Sequence, residues 1–237
     1  MCGRTTNTLP RDQLAELLDV AQVEAPELPV SWNVAPTQPL YVMGAAPDGS
    51  RKLKAFRWGL VPSWSKDPGS AFINARAETL SEKPAFRSSL RSKRAIVPIS
   101  GFYEWYRPPA GEKAAKQPFY FQAADCAPLA VAALWDVWRG AEGKELRTVA
   151  LVTTEANETM RPVHHRMPAI LAADSWDEWL YRGPLEARRR AELLVPAPDG
   201  LLDRWEVGPA VNSVKNDGPD LVATRTLCSG PKGDQPK

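Results

Sequence analysis

The second residue of the chain is a cysteine, and its position gives it unusual chemistry. Loss of Met1, ordinary ahead of a small residue, would leave Cys2 with an α-amine and a thiol on adjacent carbons. Those groups have reference pKa values near 8 and about 8.5, so a good fraction of the amine is unprotonated at neutral pH. An aldehyde would condense with the amine to an imine, and the thiolate would then add to the imine carbon and close a thiazolidine ring. Three other segments carry groups that could serve such chemistry. In Asn74-Ala75-Arg76-Ala77-Glu78, an extended backbone puts Asn74, Arg76 and Glu78 on one face, beside the apolar pair Phe72-Ile73. In Gly101-Phe102-Tyr103-Glu104-Trp105-Tyr106, alternation sets Glu104 between Phe102 and Tyr106. A carboxylate among aromatics is costly unless partnered or neutral, and a raised pKa would suit it to move protons near pH 7. His164 and His165 are the only histidines, the side chains most suited to shuttling protons at neutral pH. In an extended segment they would point to opposite faces, one to a site and one to solvent. Each feature also has a plainer reading: a small buried cysteine, a solvated edge strand, a salt-bridged surface glutamate, an incidental histidine pair.

The elements that must hold these groups are mostly short strands. Apolar runs at residues 40–43, 53–58, 95–99, 102–106, 119–121, 129–134 and 149–154, bounded by Gly, Pro and Asp, predict strands. The opening residues predict a strand or extended arm to Thr6. Thr8 predicts a helix N-cap, with Pro10 in the first turn and Leu14, Leu17 and Leu18 as an apolar stripe. Residues 26–39 read as irregular, and residues 80–91 as a short helix or a loop, with Pro84 against a decision. Asp174 or Ser175 predicts the cap of a helix carrying Trp176, Trp179 and Leu180, and Pro184 starts another over residues 185–194. The fold class expected is α+β: a single β-rich domain over residues 1–228, with a curved, barrel-like sheet core and peripheral helices, and a disordered tail over 229–237. Regular β-α-β alternation, a glycine-rich phosphate loop and zinc-ligand spacing are all absent, so no cofactor or metal is expected.

At 237 residues, with 43% hydrophobic and 24% charged side chains, the chain is long enough to bury one sizeable core. No run of apolar residues is long enough for a membrane span, and the amino terminus lacks a secretory signal. Three cysteines do not make a disulfide framework and suit a reducing, cytoplasmic setting. The formal charge is only +2, but residues 51–116 carry 14 Lys and Arg against 5 Asp and Glu. That imbalance, with Phe56, Trp58, Trp64, Phe72 and Phe86 interleaved, predicts a basic groove for single-stranded nucleic acid.

The motifs, taken together, carry a family resemblance. Met1-Cys2-Gly3-Arg4, Asn33-Val34-Ala35-Pro36, Trp58-Gly59-Leu60-Val61-Pro62-Ser63-Trp64, Asn74-Ala75-Arg76-Ala77-Glu78, Gly101-Phe102-Tyr103-Glu104-Trp105, His164-x-Arg166-Met167-Pro168 and Val214-Lys215-Asn216 resemble, in order, those of the SRAP family. These are the SOS response-associated peptidases, also described as abasic-site processing proteins. The resemblance implies a single-stranded DNA reader that bonds the ring-opened sugar aldehyde of an abasic site to Cys2. It implies that Asn74 holds the Cys2 end, that Glu104 moves protons during sugar ring opening and closure, and that His164 assists imine chemistry and adduct reversal. Arg4 and Arg76 would hold phosphates flanking the lesion, and Pro36 and Trp64 would make apolar contacts to bases. Family members often carry a second Trp after this one, where this chain has Ser65. Lyase-like crosslinking, autocatalytic removal of Met1, a monomeric state and nucleoid association on DNA complete the expectation. Two alternatives stand beside it: a cysteine peptidase acting on other proteins, and a noncatalytic single-stranded DNA-binding module.

Overall fold

The computed structural model describes residues 2–108, 116–140 and 143–223. In chain order the strands are β1 (Thr5–Asn7), β2 (Gln22–Val23), β3 (Ser31–Val34), β4 (Pro39–Ala45), β5 (Arg51–Trp58), β6 (Asn74–Arg76), β7 (Arg94–Ile99), β8 (Gly101–Tyr106), β9 (Gln117–Ala123), β10 (Leu129–Arg139), β11 (Glu145–Glu155), β12 (Arg166–Pro168) and β13 (Leu202–Glu206). The helices are α1 (Arg11–Leu17), α2 (Pro84–Ser92), α3 (Trp176–Leu180) and α4 (Ala187–Leu193).

Five strands close on themselves. The antiparallel path β11-β10-β7-β4-β5 returns to β11 through a parallel contact, Val149 opposite Trp58. Closure removes free edges from this core. β2, β6 and β12 attach to the ring, and a second sheet of order β13-β9-β8-β1-β3 packs beside it. The ring strands read as continuous apolar runs because both of their faces are covered. Along β4, Tyr41 and Met43 join one core while Leu40 and Val42 join the other. Alternate residues of β10 and β11 divide in the same way. Helices cover the first core with Phe86, Leu90, Trp179 and Leu193. The second sheet covers the other core with Val34, Phe102, Phe121 and Leu202, and Cys2 lies in that core. The buried indoles keep their donors satisfied: Trp58 Nε1–H donates to the Ile73 carbonyl at 3.0 Å and Trp179 Nε1–H to that of Ala95 at 2.8 Å.

All seven strands expected from apolar runs are present, and Pro84 opens α2 at its first turn, where a missing N–H costs nothing. Other expectations are corrected. Thr8 caps nothing; its N–H donates to Ser100 Oγ at 2.9 Å, and α1 follows Pro10 without a side-chain cap. Within its stripe Leu14 and Leu18 are buried but Leu17 is exposed, because the helix stops after seven residues. The proline-rich segment 26–39 contains β3, whose register is set by β1 rather than by its own composition. Neither Asp174 nor Ser175 caps α3 by a side chain, and a 3₁₀ turn over Ala173–Ser175 leads into it. Cys126 is disulfide-bonded, a bond that the sequence reading, which set aside only a disulfide framework, did not anticipate. The expected tail over 229–237 lies outside the described residues. No helix among the described residues is long and apolar enough to cross a membrane.

Candidate active site at the amino-terminal cysteine

The amino-terminal arm enters alongside β8. Thr5 pairs with Phe102, and the Tyr103 N–H donates to the Arg4 carbonyl at 2.9 Å. Continued by two residues, this antiparallel register runs Cys2 and Gly3 past Trp105 and Glu104. Cys2 is a free thiol, 3% exposed, in the core that also holds Val34, Trp58, Phe102, Met160, Val163 and Met167. From the other side β6 supplies Asn74, whose Nδ2–H donates to the Cys2 carbonyl at 2.8 Å. Ala75 is wholly buried in the helix-covered core, so Asn74 and Arg76 share the opposite face, as alternation requires. Glu78 departs from that face because Ala77–Thr79 forms a 3₁₀ turn. It makes a two-pronged ion pair with Arg166, at 2.7 and 2.9 Å.

Glu104 is 5% exposed. Burial pushes its pKa above the ordinary carboxylate value. Burial also pushes the Cys2 thiol well up, and the Glu104 carboxylate adds to that rise, so the two groups act on one another. His164 is half-buried, and its pKa is lowered to about 4, with burial as the largest cause and the charges of His165 and Arg107 adding to it. The ring Nδ1 lies 3.0 Å from the Arg166 N–H and 3.3 Å from the Arg166 carbonyl. A backbone N–H can only donate, so Nδ1 accepts and the neutral ring carries its proton on Nε2. The histidines do not point to opposite faces. They follow a helical turn in which the His164 N–H donates to the Met160 carbonyl, and their rings stack at 4.4 Å.

The expected DNA contacts fall into two groups. Arg4 Nη1–H donates to Asn33 Oδ1 at 2.6 Å and to the Val211 carbonyl at 2.7 Å. Asn33 in turn donates to the carbonyls of Ser213 and Asn216. Arg4 therefore clasps the amino-terminal arm, β3 and the 213–216 loop, whatever else it contacts. Pro36 stands in the tight turn after β3, closed by Gln38 N–H to the Ala35 carbonyl at 3.2 Å. Arg76 is exposed, and Trp64 is 62% exposed. Phe72 is also exposed and stands edge-on to Phe86 at 5.4 Å.

Some features left no signal in the sequence. The Trp64 loop is pinned from below: Ser63 N–H donates to Asp136 Oδ2 at 2.8 Å, and Trp138 Nε1–H donates to the Ser65 carbonyl at 2.8 Å. Thr153, opposite both Arg76 and Pro168, buries a hydroxyl with no partner among the described residues, and so does the Asn74 amide oxygen. A threonine in a Val-Thr-Thr run reads as an ordinary strand residue, so nothing marked it. Among the described residues no cluster of ligating side chains could hold a metal ion.

Fold and site together define a β-rich protein whose second residue is a buried cysteine, close to groups from β6, β8 and the β11–β12 connection. A family model, SOS response associated peptidase (SRAP), matches residues 1–214, and the chain belongs to that family. It is 39% identical to the abasic site processing protein YoaM of Bacillus subtilis (strain 168), over 94% of this chain and 97% of that one. It is 28% identical to the abasic site processing protein HMCES of Xenopus tropicalis, over 96% of this chain and 79% of that one. A crystal structure of a Bacteroides thetaiotaomicron protein superposes with a TM-score of 0.82 at 26% identity, covering 95% of this chain and all of the other.

Proposed function

We propose that this chain binds single-stranded DNA and captures abasic sites covalently through Cys2, once Met1 has been removed. The observation that carries the reading is the Asn74 bond to the Cys2 carbonyl, with the buried Glu104, its pKa raised by burial, close enough to act on the Cys2 thiol. The names of its relatives, abasic site processing proteins, support the substrate. In the reaction, a protonated Glu104 gives a proton to the sugar ring oxygen while the C1′ hydroxyl gives its own to water, and the ring C–O bond breaks to leave the C1′ aldehyde. The freed α-amine of Cys2 adds to that aldehyde, water leaves, and an imine forms. The thiol then adds to the imine carbon, its proton passing to the Glu104 carboxylate while the imine nitrogen takes one from water, which closes the thiazolidine. His164, neutral with Nε2–H, donates a hydrogen bond to the departing oxygen and assists the reverse step. Arg76 and Trp64 hold the strand by phosphate and base, Pro36 packs against a base, and Arg4 adds charge beneath it. Removal of Met1 by the same site, lyase-like strand handling, a monomeric state and a cytoplasmic location belong to this proposal.

A cysteine peptidase acting on other proteins needs a thiolate nucleophile, favoured by a lowered pKa. Burial here pushes the thiol the other way, which favours the amine as the first nucleophile. The test is denaturing electrophoresis after incubation with an abasic single-stranded oligonucleotide. A heat-stable adduct with wild type and none with Cys2→Ala is expected. No adduct with either protein would overturn the proposal.

A further inference from the structure

A second concave surface shares no residue with the site at Cys2. It is a cleft of about 370 Å³ where β4 and β5 meet the β10–β11 hairpin. Its floor is apolar: Val42, Phe56, Trp135 and Val137. Phe56 and Trp135 pack at 5.4 Å; Trp135 is half-buried, and Lys93 Nζ lies 5.8 Å from its ring centroid. The rim is cationic. Lys52 and Lys54 stand on alternate positions of β5 and share the single carboxylate of Glu24. Arg139 is paired across the hairpin with Glu145, the only acidic side chain in the lining among the described residues, and both are exposed, so that pair is weak. Arg147 and Arg182 are exposed and have no carboxylate partner among the described residues.

Arg94 lies beneath the rim. It is 3% exposed, and among the described residues its guanidinium donates only to carbonyls, those of Leu90, Arg91, Trp179, Tyr181 and Gly183. A buried cation without a counterion is costly and leaves a positive potential at the cleft. The same bonds fix the chain on both sides of Arg182, so that arginine is held over the cleft by a rigid support. Cations fixed above an aromatic floor suit a ligand with an anionic end and a flat ring, which an inorganic anion lacks.

We infer that this cleft binds a nucleotide, its phosphate at Arg147 and Arg182 and its base against Trp135. The nucleotide is either free or one unit of a polynucleotide. The full-length protein is titrated with adenosine triphosphate, with undamaged oligothymidylate and with inorganic phosphate, and compared with the Arg147→Glu/Arg182→Glu variant. Both substituted residues are exposed, and a thermal midpoint checks that the fold is kept; Arg147→Gln/Arg182→Gln replaces the variant if it is not. Arg188→Glu, a reversal on α4, is the control for general surface charge. For a free nucleotide, affinity for adenosine triphosphate falls by roughly tenfold or more in the double variant. For a strand unit, the log–log salt slope on oligothymidylate shrinks by about 0.7, the single phosphate contact shared by the two arginines. Either loss, absent from Arg188→Glu, supports the inference and says which source is used. Unchanged binding of both nucleotide probes overturns it, as does inorganic phosphate binding as tightly as adenosine triphosphate. Crosslinking of a minimal abasic oligonucleotide is followed in parallel. It depends on Cys2 and not on Arg147 or Arg182, so failure of one proposal is distinguishable from failure of the other.

Discussion

Two side chains at the site are set by their surroundings for opposite tasks. Burial raises the pKa of Glu104 above the ordinary carboxylate value, while burial as the largest cause lowers that of half-buried His164 to about 4. Glu104→Gln keeps the shape but exchanges no proton. Adduct formation in a single-turnover assay is expected to slow by about 10²–10⁴-fold, with affinity for undamaged DNA retained. Equal rates would remove Glu104 from the mechanism. His164 titrates at about 4 in the folded protein, against an ordinary value near 6.5. The ring is therefore neutral above that point, and its function is lost as pH falls through about 4, when protonation takes the Nδ1 lone pair that holds the Arg166 N–H. The His164-dependent part of the reversal rate, measured as wild type minus His164→Gln, is expected to be flat from about pH 5 to 8. An inflection near 6.5 would contradict the depressed pKa. The residue types of this site were legible in the sequence, but the tautomer was not. It depends on a turn that bends the histidine pair away from the extended geometry their spacing implied.

The elements leave neither Cys2 nor Trp64 on a free loop: Cys2 leads directly into β1, and the turn that carries Trp64 is tied to β10. Trp64 is presented to solvent while Asp136 and Trp138, both on β10, hold the residues on either side of it. Trp64→Ala is expected to weaken binding of undamaged single-stranded DNA by about 1–3 kcal/mol, the usual value of one base–aromatic stack, and to leave the thermal midpoint unchanged. Equal affinity by fluorescence anisotropy would take Trp64 out of the binding surface. Five of the seven strands with apolar runs were readable because the ring they form is covered on both faces, which writes hydrophobicity into every position; the other two, β8 and β9, carry Phe102 and Phe121 into the core beneath the second sheet. β1, β3 and β6 were not readable as strands of known length. They are three or four residues long, and their partners β8, β1 and β11 decide their register. The stop of α1 was invisible for a related reason: Leu17 continues the apolar stripe, but no packing partner waits for it.

For the whole molecule, the basic stretch 51–116 predicted one groove, and the fold divides it between two places. Lys52, Lys54 and Arg94 go to the cleft beside β5, while Arg76 goes to the face with Asn74 near Cys2. A local charge count could not show this, because Glu24, which neutralises part of β5, comes from outside the counted segment. Arg76→Ala is expected to reduce the log–log salt slope for single-stranded DNA by about 0.7, one phosphate contact. A slope equal to wild type would place the strand elsewhere. The central claim is that the amine and thiol of Cys2 act together, and the most direct measurement separates them. A chain that retains one residue ahead of Cys2 keeps the thiol and Asn74 but turns the amine into an amide, which cannot condense with an aldehyde. Its adduct with abasic single-stranded DNA is measured on heated denaturing gels, with the mass of the amino-terminal peptide after nuclease digestion. The account predicts a stable adduct on Cys2 for the mature protein and none for the blocked one; a stable adduct formed equally well by the blocked protein would contradict it.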